Sequence, residues 1–211
     1  DLPVAVIPNG VAQIPVSEAQ QSIIESSRLL FLSRIHPKKN VEALIYAWAE
    51  VCKSSIADKW GLDIAGPSDG QYENEMKRLV LNLGLQDRVK FLGKVADGDK
   101  ATVYKGAAAF VLPSFSENFG MVVAEALAAG LPVITTTGTP WPEIRSRGCG
   151  WWVEPSVQGI QSAIFEMMRL PINERVAMGR RGVEFVREEF GWDQVAHRMH
   201  ELYRWIDAGK P

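Results

Sequence analysis

The chain has 211 residues, is 46% hydrophobic and 23% charged, and carries a formal net charge of -2. A chain of that length and balance buries a core and is not disordered, and its slight acidity argues against nucleic acid or an anionic membrane surface as the main partner. No run approaches the ~20 apolar residues of a membrane span. Cys52 and Cys149 lack CxxC spacing and read as free thiols of a reducing compartment, so a cytoplasmic location is expected.

The opening DLPVAVIPNG has neither the basic flank nor the long apolar run of a signal peptide. It lacks an initiator methionine and reads as the interior of a longer protein. Arg28 to Ser33 (RLLFLS) suits a buried strand, and Val41 to Val51 has helical spacing through Val41, Leu44, Ile45 and Trp48. Gly61 to Ala65 is strand-like and ends at Gly66-Pro67. Tyr72 to Leu83 predicts an amphipathic helix with Gly84 as its stop. Val89 to Leu92 predicts a strand, Asp99 to Gly106 a short helix, and Ala108 to Leu112, Met121 to Ala129 and Pro132 to Thr135 a strand-helix-strand unit. After Gly150 to Val153, a short strand, three helices are predicted over Ser156–Arg169, Asn173–Glu188 and Trp192–Ile206. Such alternation specifies an α/β domain, a mainly parallel sheet with helices on both faces, whose ligands bind at the carboxyl ends of the strands.

Two loops at such strand ends carry chemistry. In SRIHPKKN, Arg34, His36, Lys38 and Lys39 crowd a helix start, where positive side chains oppose the helix dipole. An anion such as phosphate makes sense of that placement; a solvated basic loop is the alternative. In SENFG, Asn118 reads as a helix cap, and Gly120 lets a ligand approach exposed N–H groups. Glu117 either accepts hydrogen bonds from sugar hydroxyls or merely complements the dipole. Glu125, eight positions on, lies in a helix that reads as apolar on every side, where an unpaired charge is costly. Its helix neighbours Ala124, Ala126, Leu127 and Ala128 offer no partner, so one must come from elsewhere in the protein or from a polar ligand.

The Glu117-x7-Glu125 spacing within PSFSENFGMVVAEALAAGLPVI resembles the retaining, nucleotide-sugar-dependent glycosyltransferases of family four, which have the GT-B fold. IPNGV, SRIHPKKN, IAGPSDG, VKFLGKV and FGWDQVAHRMHELY match in the family's order and carry the resemblance from Ile7 to about Tyr203. It implies a Rossmann-like sheet that is the C-terminal, donor-binding half of a GT-B enzyme, with the N-terminal acceptor domain absent. It also implies that Arg34 and Lys39 bind the donor diphosphate and stabilise the leaving phosphate, and that Glu117 contacts the transferred sugar. The amides of Phe119, Gly120 and Met121 would meet sugar and phosphate, Glu125 would hold the ribose hydroxyls, and the base would lie near Lys94 and Val95. The reaction would need no cofactor or metal. An acceptor glycan, lipid-linked sugar or small molecule would be bound by the other half, which would also set any peripheral membrane contact. A fragment of this kind is expected to bind donor without transferring it. A sugar-nucleotide epimerase or glycan phosphorylase of the same plan, or a nonenzymatic nucleotide-binding domain, are the alternatives.

Departures from the family pattern are Ser33 and Asn40, where glycine is frequent, and TTTGTPWPE, which replaces a double-glycine turn and adds Trp141. Asp97-Gly98-Asp99 has the DxD form that metal-dependent glycosyltransferases of another fold use, but reads here as a helix cap. His197 and His200 lack a third metal ligand at suitable spacing. Trp141, Trp151 and Trp152 suit sugar stacking or core packing equally.

Overall fold

The computed structural model describes residues 4–12 and 26–209. Asp1 to Pro3 of the opening segment lie outside them. Six strands form one sheet: β1 (Arg28–Leu32), β2 (Gly61–Ala65), β3 (Val89–Gly93), β4 (Ala109–Leu112), β5 (Val133–Thr136) and β6 (Gly150–Val153). Every pairing is parallel, in the order β3-β2-β1-β4-β5-β6. The central strands β4 and β5 are wholly buried, and β1 is buried from Leu29 onward, which is why β1 and β4 read as apolar runs, whereas β5 ends in Thr135 and Thr136, whose hydroxyls donate to Leu112 O and Ser114 O; the edge strands β3 and β6 are only partly covered.

Eight helices accompany the sheet among the described residues: α1 (Val41–Val51), α2 (Gln71–Asn82), α3 (Lys100–Lys105), α4 (Met121–Ala128), α5 (Glu143–Ser146), α6 (Val157–Arg169), α7 (Ile172–Phe190) and α8 (Trp192–Asp207). The predicted elements are all present, displaced at their ends by at most two residues. Val41, Leu44, Ile45 and Trp48 of α1 are fully buried, as their spacing requires. The strand order reverses direction between β1 and β4. Right-handed crossovers therefore place the β1–β2 helix α1 on one face and the β4–β5 helix α4 on the other. Helix α6 packs on α1, and α7 packs on α4. The crevice at this reversal lies between the loops after β1 and β4, where an open parallel sheet binds its ligands.

One expectation needs correction. Helix α4 is not enclosed on every side. Val123, Ala124, Ala126, Leu127 and Ala128 are buried, but Met121, Val122 and Glu125 form a half-open stripe. Positions i, i+1 and i+4 share one side of a helix, and here that side faces the crevice instead of the sheet.

Candidate functional site at the sheet crevice

The loop after β1 is a short, strongly shaped connection. Ile35 N–H donates to Pro67 O at 2.9 Å, tying it to the loop after β2. His36 Nδ1 accepts from Lys38 N–H at 3.2 Å and caps the 3-10 turn Pro37–Lys39, so this histidine is a cap. Asn40 has φ 57° and ψ 36°, the left-handed region, which Asn tolerates better than most residues. That conformation accounts for an Asn where glycine is frequent. Its Nδ2 also donates to Pro155 O at 3.1 Å. The turn leaves Arg34 and Lys38 exposed at the crevice mouth and sends Lys39 inward. Among the described residues, the Arg34 guanidinium has no hydrogen-bond or ion-pair partner.

Lys39 Nζ meets Glu117 Oε1 at 2.5 Å, with both side chains largely covered. Ser114, itself fully buried, donates its Oγ–H to the same carboxylate oxygen at 2.7 Å. Glu117 is therefore more than a dipole complement: it is one half of a screened ion pair. Its loop is gripped on both sides. Phe115 N–H donates to Lys38 O at 2.9 Å on the β1 side. On the β5 side there are three ties: Thr136 Oγ1–H to Ser114 O at 2.5 Å, Glu117 N–H to Gly138 O at 2.9 Å, and Trp141 Nε1–H to Phe119 O at 2.5 Å. Gly138 permits this approach, since a Cβ there would lie 2.3 Å from Phe115 O.

Asn118 does not cap α4. The cap position is Gly120, with φ 80° and ψ 60°, and Asn118 is exposed. Glycine takes this left-handed conformation freely, whereas an Asn cap ordinarily sits in the extended region. Among the described residues the Phe119, Gly120 and Met121 N–H groups have no hydrogen-bond partner, as expected of a first helical turn open to the crevice. A cavity of about 360 Å³ lies against them, lined by Arg34, Lys39, Glu117, Phe119, Gly120 and Met121.

Glu125 is not stranded. Tyr104 O–H donates to Oε2 at 2.9 Å and Lys100 Nζ donates to Oε1 at 3.3 Å. Both partners come from α3, four residues apart and hence on one side of that helix. Lys100 also pairs with Asp97 Oδ1 at 3.2 Å. Burial acts to lower the Lys100 pKa, but the carboxylates of Glu125 and Asp97 outweigh it and the net shift is upward. Burial, followed by the charge of Glu125, pushes the Tyr104 phenol far above its ordinary range. These two partners were missed in the sequence, although the Lys-x3-Tyr spacing on a short helix was the available signal. Asp99 occupies the N-cap of α3 without a side-chain cap bond, so the capping role expected of the Asp97-Gly98-Asp99 stretch is not made.

A second cavity of about 370 Å³ is lined by Asp97, Lys100, Tyr104, Met121 and Glu125, together with Gly10 to Ala12. The two cavities share Met121, the first residue of α4. Lys94 is exposed just past β3 and Val95 packs on the core; neither lines either cavity, although Asp97, two residues on, lines the second. Trp141 is buried among Phe119, Phe185 and Phe190, which decides for core packing over sugar stacking. Trp151 Nε1–H donates to Glu166 Oε2 at 2.8 Å and Trp152 Nε1–H to Thr139 O at 3.1 Å. His197 pairs with Glu201 at 3.3 Å, and among the described residues no three His, Cys, Asp or Glu side chains converge.

A doubly wound parallel sheet with a cationic loop and an open helix N-terminus at its reversal point is a nucleotide- or phosphate-binding α/β architecture. The chain belongs to the family described as glycosyl transferases group 1, whose model matches residues 17–185. It is 36% identical over 185 residues to alpha-monoglucosyldiacylglycerol synthase of Streptococcus pneumoniae, covering 85% of this chain and 38% of that protein. It is 30% identical to mannosylfructose-phosphate synthase of Agrobacterium fabrum, covering 89% of this chain and 44% of that protein. Among solved structures, sucrose-phosphate synthase of Thermosynechococcus elongatus superposes with a TM-score of 0.81 at 28% identity, covering 97% of this chain and 53% of that one. The C-terminal domain of a glycosyl transferase group 1 family protein from Francisella tularensis superposes at 0.69 with 25% identity, covering 87% of this chain and 96% of that one. These neighbours are GT-B glycosyltransferases, so the expected fold and family both hold. The chain spans less than half the length of the curated relatives it matches, between 38% and 49%. No helix among the described residues is long and apolar enough to cross a membrane.

Proposed function

We propose that this chain is the donor-binding part of a retaining glycosyltransferase and that it binds a nucleoside-diphosphate sugar across the two adjoining cavities. The observation that carries this is their division of labour over one shared residue, Met121. One lobe has three cations, Arg34, Lys38 and Lys39, with the carboxylate of Glu117 and open amides, which suit a sugar diphosphate. The other sets Ala101, Met121 and the Tyr104 ring around Glu125, which suits a nucleoside whose ribose hydroxyls donate to the carboxylate's remaining lone pairs. Asp97 leads from the second lobe toward Lys94 and Val95, the proposed neighbours of the base.

In the reaction the bond between the anomeric carbon and the diphosphate breaks, and negative charge grows on the leaving phosphate. Arg34, Lys39 and the amides of Phe119 to Met121 would stabilise that charge without a metal. Glu117 would accept from a hydroxyl of the transferred sugar and Glu125 would orient the ribose; neither acts as a general acid or base. The acceptor, a glycan, a lipid-linked sugar or a small molecule, would be held by an N-terminal domain of the whole enzyme, so this part alone would bind donor and not transfer it. We place the whole enzyme in the cytoplasm, with any membrane contact made peripherally by that other domain. Calorimetric titration with UDP, GDP and ADP, with and without magnesium, tests the reading. Binding of at least one of them, abolished or weakened in Arg34→Ala and Lys39→Ala, supports it; silence with all three overturns it.

A further inference from the structure

We infer that Trp141 is a positioning residue whose indole N–H aims the Gly120 amide into the anion-binding cavity. The inference rests on the donor-binding reading above. Phe119 O accepts from Trp141 Nε1–H at 2.5 Å, and the indole behind it is only 1% exposed. The described peptide bonds are all trans. In a planar trans peptide the C=O and the N–H of the next residue point in opposite directions. Anchoring the Phe119 carbonyl on a buried donor therefore turns the Gly120 N–H away from the core, toward the cavity that Gly120 lines.

The anchor is rigid. Ring centroids of Phe119, Phe190 and Phe185 lie 5.2, 5.1 and 6.1 Å from that of Trp141. The peptide it holds is intrinsically the opposite. Gly120 sits at φ 80°, and glycine takes either sign of φ at little cost, so without the indole the Phe119–Gly120 plane can turn over. A turned plane would present a carbonyl oxygen to an anion in place of a donor. From the connection between β5 and α5, residues 137–142, Trp141 thus reaches the phosphate lobe through one hydrogen bond, without lining the cavity itself.

The probe is inorganic pyrophosphate, added to the ¹⁵N-labelled chain. Pyrophosphate should move the Gly120 amide resonance. Trp141→Phe keeps a ring and removes the donor; it should bind pyrophosphate roughly tenfold more weakly, with the Gly120 resonance no longer responding. Phe190→Leu loosens packing on the same indole but leaves Nε1 in place, so its affinity should stay within about twofold of the parent, well short of one lost charge-assisted bond. A merely structural role for Trp141 would weaken both variants alike, and that result overturns the inference. So does pyrophosphate binding that leaves the parent Gly120 amide unmoved, a readout that decides even if Trp141→Phe does not fold. Binding with a silent Gly120 leaves the donor reading standing. No binding of pyrophosphate or of any nucleoside diphosphate removes both.

Discussion

Lys39 and Glu117, 78 positions apart, meet at 2.5 Å between the loops after β1 and β4. The contact spans the crevice at the point where the strand order reverses. It also means that, without ligand, the inner cation of the basic loop is neutralised by the first of the two carboxylates. A bound diphosphate would compete with Glu117 for the Lys39 ammonium, while Ser114 continues to hold Oε1 of Glu117.

Lys39→Ala should weaken nucleoside-diphosphate binding by roughly 10- to 150-fold, the worth of one charge-assisted bond of about 1.5–3 kcal/mol. The same change leaves a covered carboxylate with only Ser114, so stability should fall by about 1–3 kcal/mol. Calorimetry and chemical denaturation measure the two effects separately. Unchanged affinity would remove Lys39 from the diphosphate site, whatever happens to stability.

Gly120→Ala tests the left-handed cap. A Cβ has room, since its nearest neighbours would be 3.6 Å away, so any cost is one of backbone conformation. A left-handed conformation in a non-glycine residue costs roughly 1–2 kcal/mol. Thermal unfolding should therefore show a modest loss, accompanied by weaker nucleotide binding as the first turn of α4 relaxes. A variant as stable as the parent would show that the φ of 80° is not required.

Tyr104 gives the chain a dependence on alkaline pH. Its folded pKa is raised above the ordinary 10.0, first by burial and then by Glu125. A group raised in the folded state contributes stability that is complete below the unfolded pKa and is lost as pH rises toward the folded one. The folded chain keeps a proton that the unfolded chain releases, so stability should fall by about 1.4 kcal/mol per pH unit above pH ~10 from this group. Tyr104→Phe should remove that part of the slope in urea denaturation followed from pH 9.5 to 11.5. An identical slope in parent and variant would refute the assignment.

Cys149 is buried, and burial raises its thiol to about 11 despite Arg181 and Arg147 nearby. About one part in a thousand would be thiolate at pH 8. Ellman's reagent should therefore leave it unmodified in the folded chain and react once denaturant is added. Rapid modification of Cys149 in the native state would contradict its placement.

Much of the fold was legible because each element carries its own period. The 3.6-residue spacing of α1 and the apolar runs of β1 from Leu29 and of β4 need no tertiary information to be recognised. The site was legible as two loops, since cations at a helix start and an isolated carboxylate in an apolar helix are local electrostatic anomalies. Asn118 as a cap and the capping role of the Asp97-Gly98-Asp99 stretch failed because cap preference is a local statistic, while φ at Gly120 and the ion pair of Asp97 answer to neighbours. Lys100 and Tyr104 were missed for the same reason: their target lies on another helix.

By itself, the sequence determined the parallel α/β domain, the family, and the residue types gathered at the strand ends, because periodicity and charge placement are properties of a short stretch of chain. Only the tertiary structure decided who partners whom. It paired Lys39 with Glu117 and Glu125 with Tyr104 and Lys100, and it set Trp141 behind the Phe119 carbonyl. Those contacts join residues on different elements, and a hydrogen bond forms only where folding brings donor and acceptor within about 3 Å in a suitable orientation.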